Sequence, residues 1–434
     1  MDVPSLWHSG EPNVKTSYLR IAVAATLAAA CAVPASALNI VLVDSTNSFA
    51  NAPNGAEALF AFRKAANYWN QTLTNDATVR IDIGFEALGS NILGSTGSAS
   101  HVTSVSDIYH GLATTGNSAL DASAVAHLVP LNSQGSLAMR VSNYVDPLAH
   151  TGIDTSTTRL SNGNNAINQT LDVNTSVLKA LHLNTGQPAG AFDAQITFSS
   201  NFAFDFNPSN GISTGKYDFT AVAVHELGHA LGFVSGTDGI DYFGHPNGPG
   251  ASLFDDQNLD DYAVGSTLDL FRYGNGFNPN GSRQLQWSPD RSAFFSIDGG
   301  ATVFNIASGA QQAAYFATGA FNGDGFQASH WAENRATINA DGCFQSTQQI
   351  GIMDPTLAAC ALGAITQNDL AAFDAMGWNL NRDILAAPGY TATTQDVFAL
   401  PGVAAVPEPA GYAMLLAGLG CLGAAARRRR LNSR

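Results

Sequence analysis

The stretch Asp218-Phe-Thr-Ala-Val-Ala-Val-His225-Glu226-Leu-Gly-His229-Ala-Leu-Gly232-Phe233 constrains the fold of this chain more than any other feature. Phe219 to Val224 is almost wholly apolar, so the segment belongs inside the molecule. Continued as a helix, it places His225 and His229, four residues apart, on one face. Both imidazoles then reach a single ion, and Glu226 sits beside the open coordination position. Zinc suits this pattern. With three protein ligands and a water it lowers the pKa of the water to about 7, and a neighbouring carboxylate takes the proton and passes it to a leaving amine. The segment therefore predicts His225 and His229 as metal ligands, Glu226 as catalytic base and Zn2+ as cofactor; the plain alternative is an ordinary helix with two solvent-facing histidines.

The third ligand is not local. In H-E-x-x-H-x-x-G-x-x-H the last histidine follows the helix-ending glycine by three residues, and here Gly232 is followed at that spacing by Ser235. A neutral hydroxyl is a poor substitute for imidazole. Glu333, the only glutamate beyond the helix in the folded body, weakens a thermolysin-like arrangement, and Asp238 and Asp241 do not match the aspzincin spacing. Asp238, Asp241, His245 and His330 remain as candidates.

The order HELGHALGF, then Ala328-Ser-His330-Trp331, then Gly351-Ile-Met353-Asp-Pro355, then a capping-box helix start near Ile365 to Leu370, resembles the leishmanolysin branch of the metzincins over Tyr217 to about Asn379. In that branch a distant His-Trp ligand and a methionine turn beneath the metal follow the helix. The resemblance implies that His330 is the third ligand, that Met353 is the Met-turn residue and that Gly232 ends the helix. It also implies an α+β, zincin or metzincin-like catalytic domain, with a twisted mixed sheet, an active-site helix and a mainly helical, loop-rich C-terminal part. The gap between His330 and Met353 is longer than in that branch and contains Cys343.

Upstream, Asn39 to Val43 reads as a short buried strand. From Ala56 to Leu73 the residues Leu59, Phe62, Ala66, Trp69 and Leu73 share one helical face, and Val79, Ile81, Ile83 and Phe85 then alternate as in a half-buried strand. Leu88 to Gly190 is rich in Ser, Thr, Asn and Gly and reads as a loop-rich elaboration, with helical patterns near Ser106 to Ala113, Leu120 to Val129 and Val173 to Leu181. Its histidines lack ligand spacing. Ile196 and Phe198, then Phe202, Phe204 and Phe206, alternate as candidate strands, one of them at a sheet edge.

Both ends read as addresses. Ile21 to Val33 is apolar, follows Lys15 and Arg20 and leads into Ala35-Ser-Ala37, which predicts a signal peptide over residues 1–37 cleaved by signal peptidase. Translation from Val14 instead of Met1 would give an ordinary n-region. The catalytic domain is expected over 38–386 and a linker over 387–406, where small, polar and Pro/Gly residues show no period. Residues 407–434 hold Pro407-Glu-Pro409, an apolar run from Ala410 to Ala426 and Arg427 to Arg430. That run is about long enough to span a bilayer, and the arginines would hold its end in the cytoplasm. The order also resembles the PEP-CTERM sorting signal of exopolysaccharide-producing bacteria, which implies an exosortase as processing partner. Membrane contact is expected through this tail only.

Of four cysteines, Cys31 falls in the signal and Cys421 in the tail, so Cys343 and Cys360 remain for one disulfide in an exported domain, bracketing Met353. The net charge of -15 argues against nucleic acid as a partner. The function expected is that of an exported zinc endopeptidase acting on protein or peptide substrates in the envelope, periplasm or matrix of a Gram-negative bacterium. The alternative is a surface or biofilm-matrix protein that kept a zincin fold and lost turnover, with Ser235 as the trace. A serine hydrolase fails, because Gly232-Phe-Val-Ser235-Gly236 is not G-x-S-x-G.

Overall fold

A computed structural model of the chain describes residues 38–278, 281–305, 312–333, 337–338, 343–345 and 349–403. The expected signal peptide (1–37) and the sorting tail (407–434) lie outside the described residues. Among the described residues no helix is long and apolar enough to cross a membrane.

The first sheet grows from the strand–helix–strand pattern. β1 (Asn39–Val43) runs parallel to β2 (Thr78–Glu86), and the helix Gly55–Thr72 makes the crossover that parallel strands require. β2 alternates as its sequence predicts, with Val79, Ile81, Ile83 and Phe85 buried. β3 (Gly94–Ser98) and β8 (Ala194–Ser199) complete the order β1-β2-β8-β3, with β8 parallel to β2 and β3 antiparallel to β8. β1 is thus an edge strand, only partly buried, where a buried one was expected.

Two helices cover this sheet. The central helix, Phe219–Ala230, packs on Gly55–Thr72, whose Trp69 donates its indole N–H to the carbonyl of Val224 at 3.2 Å. Rings of Phe62, Phe198 and Phe219 meet between helices and sheet, with centroids of 4.9 Å for Phe62–Phe198 and 4.6 Å for Phe198–Phe219. Asp218 caps the central helix by accepting from the Ala221 N–H at 3.1 Å. Gly232 ends it at φ 110°, in the left-handed region, with the Phe233 N–H returned to the Gly228 carbonyl at 3.0 Å.

The region read as loop-rich elaboration contains strands that the sequence hides. β4 (Ser100–Ser104) pairs with β7 (Thr170–Asn174), and β5 (Met139–Asn143) and β6 (Asp154–Ser161) join a second, five-stranded sheet with strands from 272–295. Gly94-Ser-Thr-Gly-Ser98 shows no apolar alternation: it is nowhere fully buried, and its Gly94 lies against Glu226 and Val222. Val173, expected to open a helix, is in β7, and the helix runs from Thr175 to Ala180. Of the phenylalanine alternation before the central helix, only Phe204–Asp205 forms a short strand, while Phe204 and Phe206 pack their rings on Phe219.

Two expectations need correction. The described part beyond Ala230 is not mainly helical: it holds the short helices Thr237–Tyr242, Gln367–Ala375 and Thr394–Ala399 within long irregular stretches. Its Gly-, Asn- and Ser-rich chain is tied instead by buried aspartates, as at Asp241, which accepts from the N–H groups of Phe321 (2.9 Å) and Asn322 (2.7 Å). The segment read as a linker from Ala387 is folded through Leu400. Thr391–Thr393 pairs with Ala364–Thr366, Val397 is buried, and Lys64 donates to the Leu400 carbonyl at 2.7 Å. Its few apolar residues are too sparse to show a period and gain their partners from elements distant in sequence, the first long helix foremost.

Asp374, buried on the helix Gln367–Ala375, accepts from the Ser118 hydroxyl at 2.8 Å. Burial, then the carboxylates of Asp121 and Asp383, push its carboxyl up to about 8. An unfolded aspartate titrates near 3.9, so the folded chain retains a proton that the unfolded chain releases, and stability falls from about pH 4 to about pH 8. Asp374→Asn should flatten that decline in denaturant titrations at pH 5 and pH 8; an unchanged slope would show that Asp374 titrates normally.

Candidate metal centre

The central helix carries His225 and His229 to the floor of a cleft of about 1030 Å³, which Glu226 and His330 also line. The Nε2 atoms of the three histidines form a near-equilateral triangle, with 3.1 Å between His225 and His229 and 3.2 Å from His330 to each. Each Nδ1 faces a backbone carbonyl: His225 that of Ile352 at 2.8 Å, His229 that of Phe233 at 2.7 Å and His330 that of Gln327 at 3.1 Å. A carbonyl only accepts, so each Nδ1 is the donor and each Nε2 keeps a lone pair. Burial, with the neighbouring imidazoles adding to it for His229 and His330, lowers the pKa of His225 to about 4, that of His229 to about 3 and that of His330 well below the ordinary value. The three rings are therefore neutral near pH 7.

Three neutral lone pairs converging at this separation repel one another unless a Lewis acid lies among them. Nitrogens about 2.0–2.1 Å from a tetrahedral zinc would stand roughly 3.3–3.4 Å apart, close to the spacing observed. All-imidazole donors suit zinc and other borderline transition metals and not calcium or magnesium, which take oxygen. Among the described residues these three histidines are the group of potential ligands that meets at one point.

Glu226 is buried beside them, and burial raises its carboxyl to about 7 while a hydrogen bond from Thr96 opposes the shift. Thr96 of β3 donates its hydroxyl to Oε2 at 2.6 Å. A Cβ at Gly94 would stand 2.7 Å from Oε1 of Glu226, so the glycine in β3 leaves room for the carboxylate. Neither residue carries a sequence pattern that could have pointed to Glu226.

Met353 is fully buried under the helix, and a Cβ at Gly228 would lie 2.4 Å from its Sδ. The glycine inside HELGH therefore admits the methionine. Cys343 and Cys360 form the expected disulfide, which brackets this loop. Asp369 gathers the supporting parts: its carboxylate accepts from the N–H groups of Ile352 (2.9 Å), Met353 (3.3 Å) and Thr366 (2.7 Å) and from the indole of Trp331 (2.8 Å). The Thr366–Asp369 capping box was legible in the sequence; its grip on Trp331 and the methionine loop was not.

The other third-ligand candidates are engaged elsewhere. His245 pairs through Nε2 with Asp255 at 2.6 Å on the surface, Asp241 holds the 321–322 turn, and Asp238 accepts from Ala328 and Ser329. Ser235 donates its hydroxyl to Asp269 at 2.5 Å, and Glu333 accepts from the Thr356 hydroxyl at 2.8 Å.

Residues 405–430 match the PEP-CTERM protein-sorting motif. The chain carries a sorting tail. This PEP-CTERM tail implies an exported protein of a Gram-negative bacterium, processed by an exosortase and sorted to the envelope. No curated protein and no solved structure matches the chain.

Asp369→Asn should leave at least two buried N–H donors facing an amide NH2, at a cost of roughly 2–4 kcal/mol. Denaturant unfolding at pH 7.5 checks this, and a change below ~0.5 kcal/mol, the size of ordinary surface substitutions, would remove Asp369 from the supporting frame.

Proposed function

We propose that the protein is an exported zinc-dependent endopeptidase with a metzincin-like catalytic domain. The observation that carries this reading is the meeting of His225, His229 and His330 through Nε2, with Glu226 beside His225 on the central helix. Bound zinc would supply Lewis acidity toward a scissile carbonyl and make water a nucleophile near neutral pH.

The chain's own residues account for the rest. The three histidines would hold the ion, their orientation set by the Ile352, Phe233 and Gln327 carbonyls. Glu226, with a pKa of about 7, is poised to take a proton from water and return it to the departing amine. Thr96 holds one carboxylate oxygen, and the other lies against the backbone at Gly94, where a side chain would collide with it. β3 has β8 on one side only and borders the cleft, so its free edge offers main-chain hydrogen bonds to an extended peptide. The alternative of a fold that lost turnover drew on Ser235; His330 supplies a third nitrogen without it, which favours the active reading.

Zinc content and casein hydrolysis of the purified protein test this. Glu226→Gln should keep zinc and lose about 10²–10⁴-fold in kcat, the usual share of a general base. His330→Ala should lose hydrolysis and fall to the weak residual zinc affinity of the His225–His229 pair, and His245→Ala should change neither. Full activity in His330→Ala, or a wild type that binds no metal, overturns the proposal.

A further inference from the structure

The ligand that is not on the central helix has to be delivered to it, and the delivery runs through Asp238. Its half-buried carboxylate accepts from the N–H of Ala328 at 2.6 Å, from the N–H of Ser329 at 3.1 Å and from the Ser329 hydroxyl. These are the two residues immediately before His330. The Ser329 oxygen in turn accepts from the Ser235 N–H at 2.8 Å. Ser235, which stands where a nearby third histidine would be in H-E-x-x-H-x-x-G-x-x-H, thus helps to bind the segment that brings the distant one.

The segment is held from its other side by Arg272. This fully buried guanidinium donates to the carbonyls of Ala317 (2.9 Å), Ala328 (3.4 Å) and Gln286 (3.1 Å) and lies over the Phe316 ring at 5.0 Å. Its charge faces Asp238, Asp269 and Asp324, so the half-buried carboxylate of Asp238 has a counter-charge without a direct ion pair. Ala317, tied to Arg272 through its carbonyl, also donates its N–H to the His330 carbonyl at 3.0 Å.

His330 takes its ring orientation from the Gln327 carbonyl, three residues back, at the longest of the three Nδ1 contacts. Any loosening of 327–329 therefore rotates this imidazole, while His225 and His229 keep the Ile352 and Phe233 carbonyls that orient them. We propose that Asp238 is a positioning residue for the metal, acting through His330 by clamping Ala328 and Ser329; this rests on the metal-centre reading above. It would set the affinity of the site without touching the ion.

Zinc affinity of the full-length protein, measured by competition with a chromophoric chelator, tests the idea. Asp238→Asn should weaken zinc binding about 10–100-fold, the usual effect of losing a partner that orients a ligand. Loss of a negative charge near the site would weaken binding as well, so the decisive arm is the double variant. In a His330→Ala background Asp238→Asn should add less than about twofold, because the residue through which it acts is gone. Ser329→Ala, which removes the hydroxyl's bond to Asp238 and the one it accepts from Ser235 without altering charge, should weaken zinc about 3–10-fold, a part of the same range. The unfolding midpoint of the metal-free variants separates a lost clamp from a lost fold, and Ser329→Ala supplies the result if Asp238→Asn does not fold. Wild-type affinity in both single variants, or an undiminished effect of Asp238→Asn alongside His330→Ala, sinks the clamp and leaves the metal centre standing. Should His225→Ala and His330→Ala bind zinc as the wild type does, the centre itself fails, and the clamp with it.

Discussion

Three neutral imidazoles pointing their lone pairs at one another is an unfavourable arrangement by itself, and much of the surrounding structure is explained by the need to maintain it. The rings stand 3.1–3.2 Å apart at Nε2, held by three backbone carbonyls from three separate loops. Each carbonyl fixes both a tautomer and an orientation. The Ile352 carbonyl lies in the methionine loop, the Phe233 carbonyl follows Gly232, and the Gln327 carbonyl belongs to the clamped segment. The site is therefore only as well ordered as those loops.

The loops are ordered by buried carboxylates rather than by regular structure. Asp218 caps the central helix and accepts from Gly363, Asp241 holds the 321–322 turn and Asp369 holds the methionine loop. Asp269 receives the Ser235 hydroxyl and the N–H groups of Gly236 and Ser266. A carboxylate offers several acceptor sites and so satisfies backbone donors that a chain rich in glycine, serine and asparagine leaves unpaired. The excess of acid in the composition has in part an interior use. Burial raises the carboxyls of Asp218, Asp238 and Asp369 to about 6, so the N–H groups directed at them matter for keeping them charged.

β3 shows how the neighbourhood of Glu226 can escape detection in a sequence. An edge strand of half-buried and exposed residues that meets a carboxylate has little reason to alternate, and Gly94-Ser-Thr-Gly-Ser98 does not. Its two informative residues act by absence and by a single hydroxyl: Gly94 leaves space for Glu226, and Thr96 binds it. The same applies to the folded stretch 391–400, whose few apolar side chains acquire meaning against the helices Gly55–Thr72 and Phe219–Ala230.

What the sequence determined by itself is what short-range periodicity and local chemistry control. The β1–helix–β2 opening, the central helix with its two histidines on one face and its end at Gly232, the Thr366–Asp369 cap, the Cys343–Cys360 pair and the sorting tail belong to this class. Residues four apart on a helix share a face whatever the rest of the chain does. The choice of third nitrogen was of another kind. His330 stands 101 residues from His229, and among Asp238, Asp241, His245 and His330 no spacing decides, except by likeness to a family. Tertiary structure made that choice, since hydrogen bonds between distant loops follow from where the backbone passes, and they leave no period in the sequence.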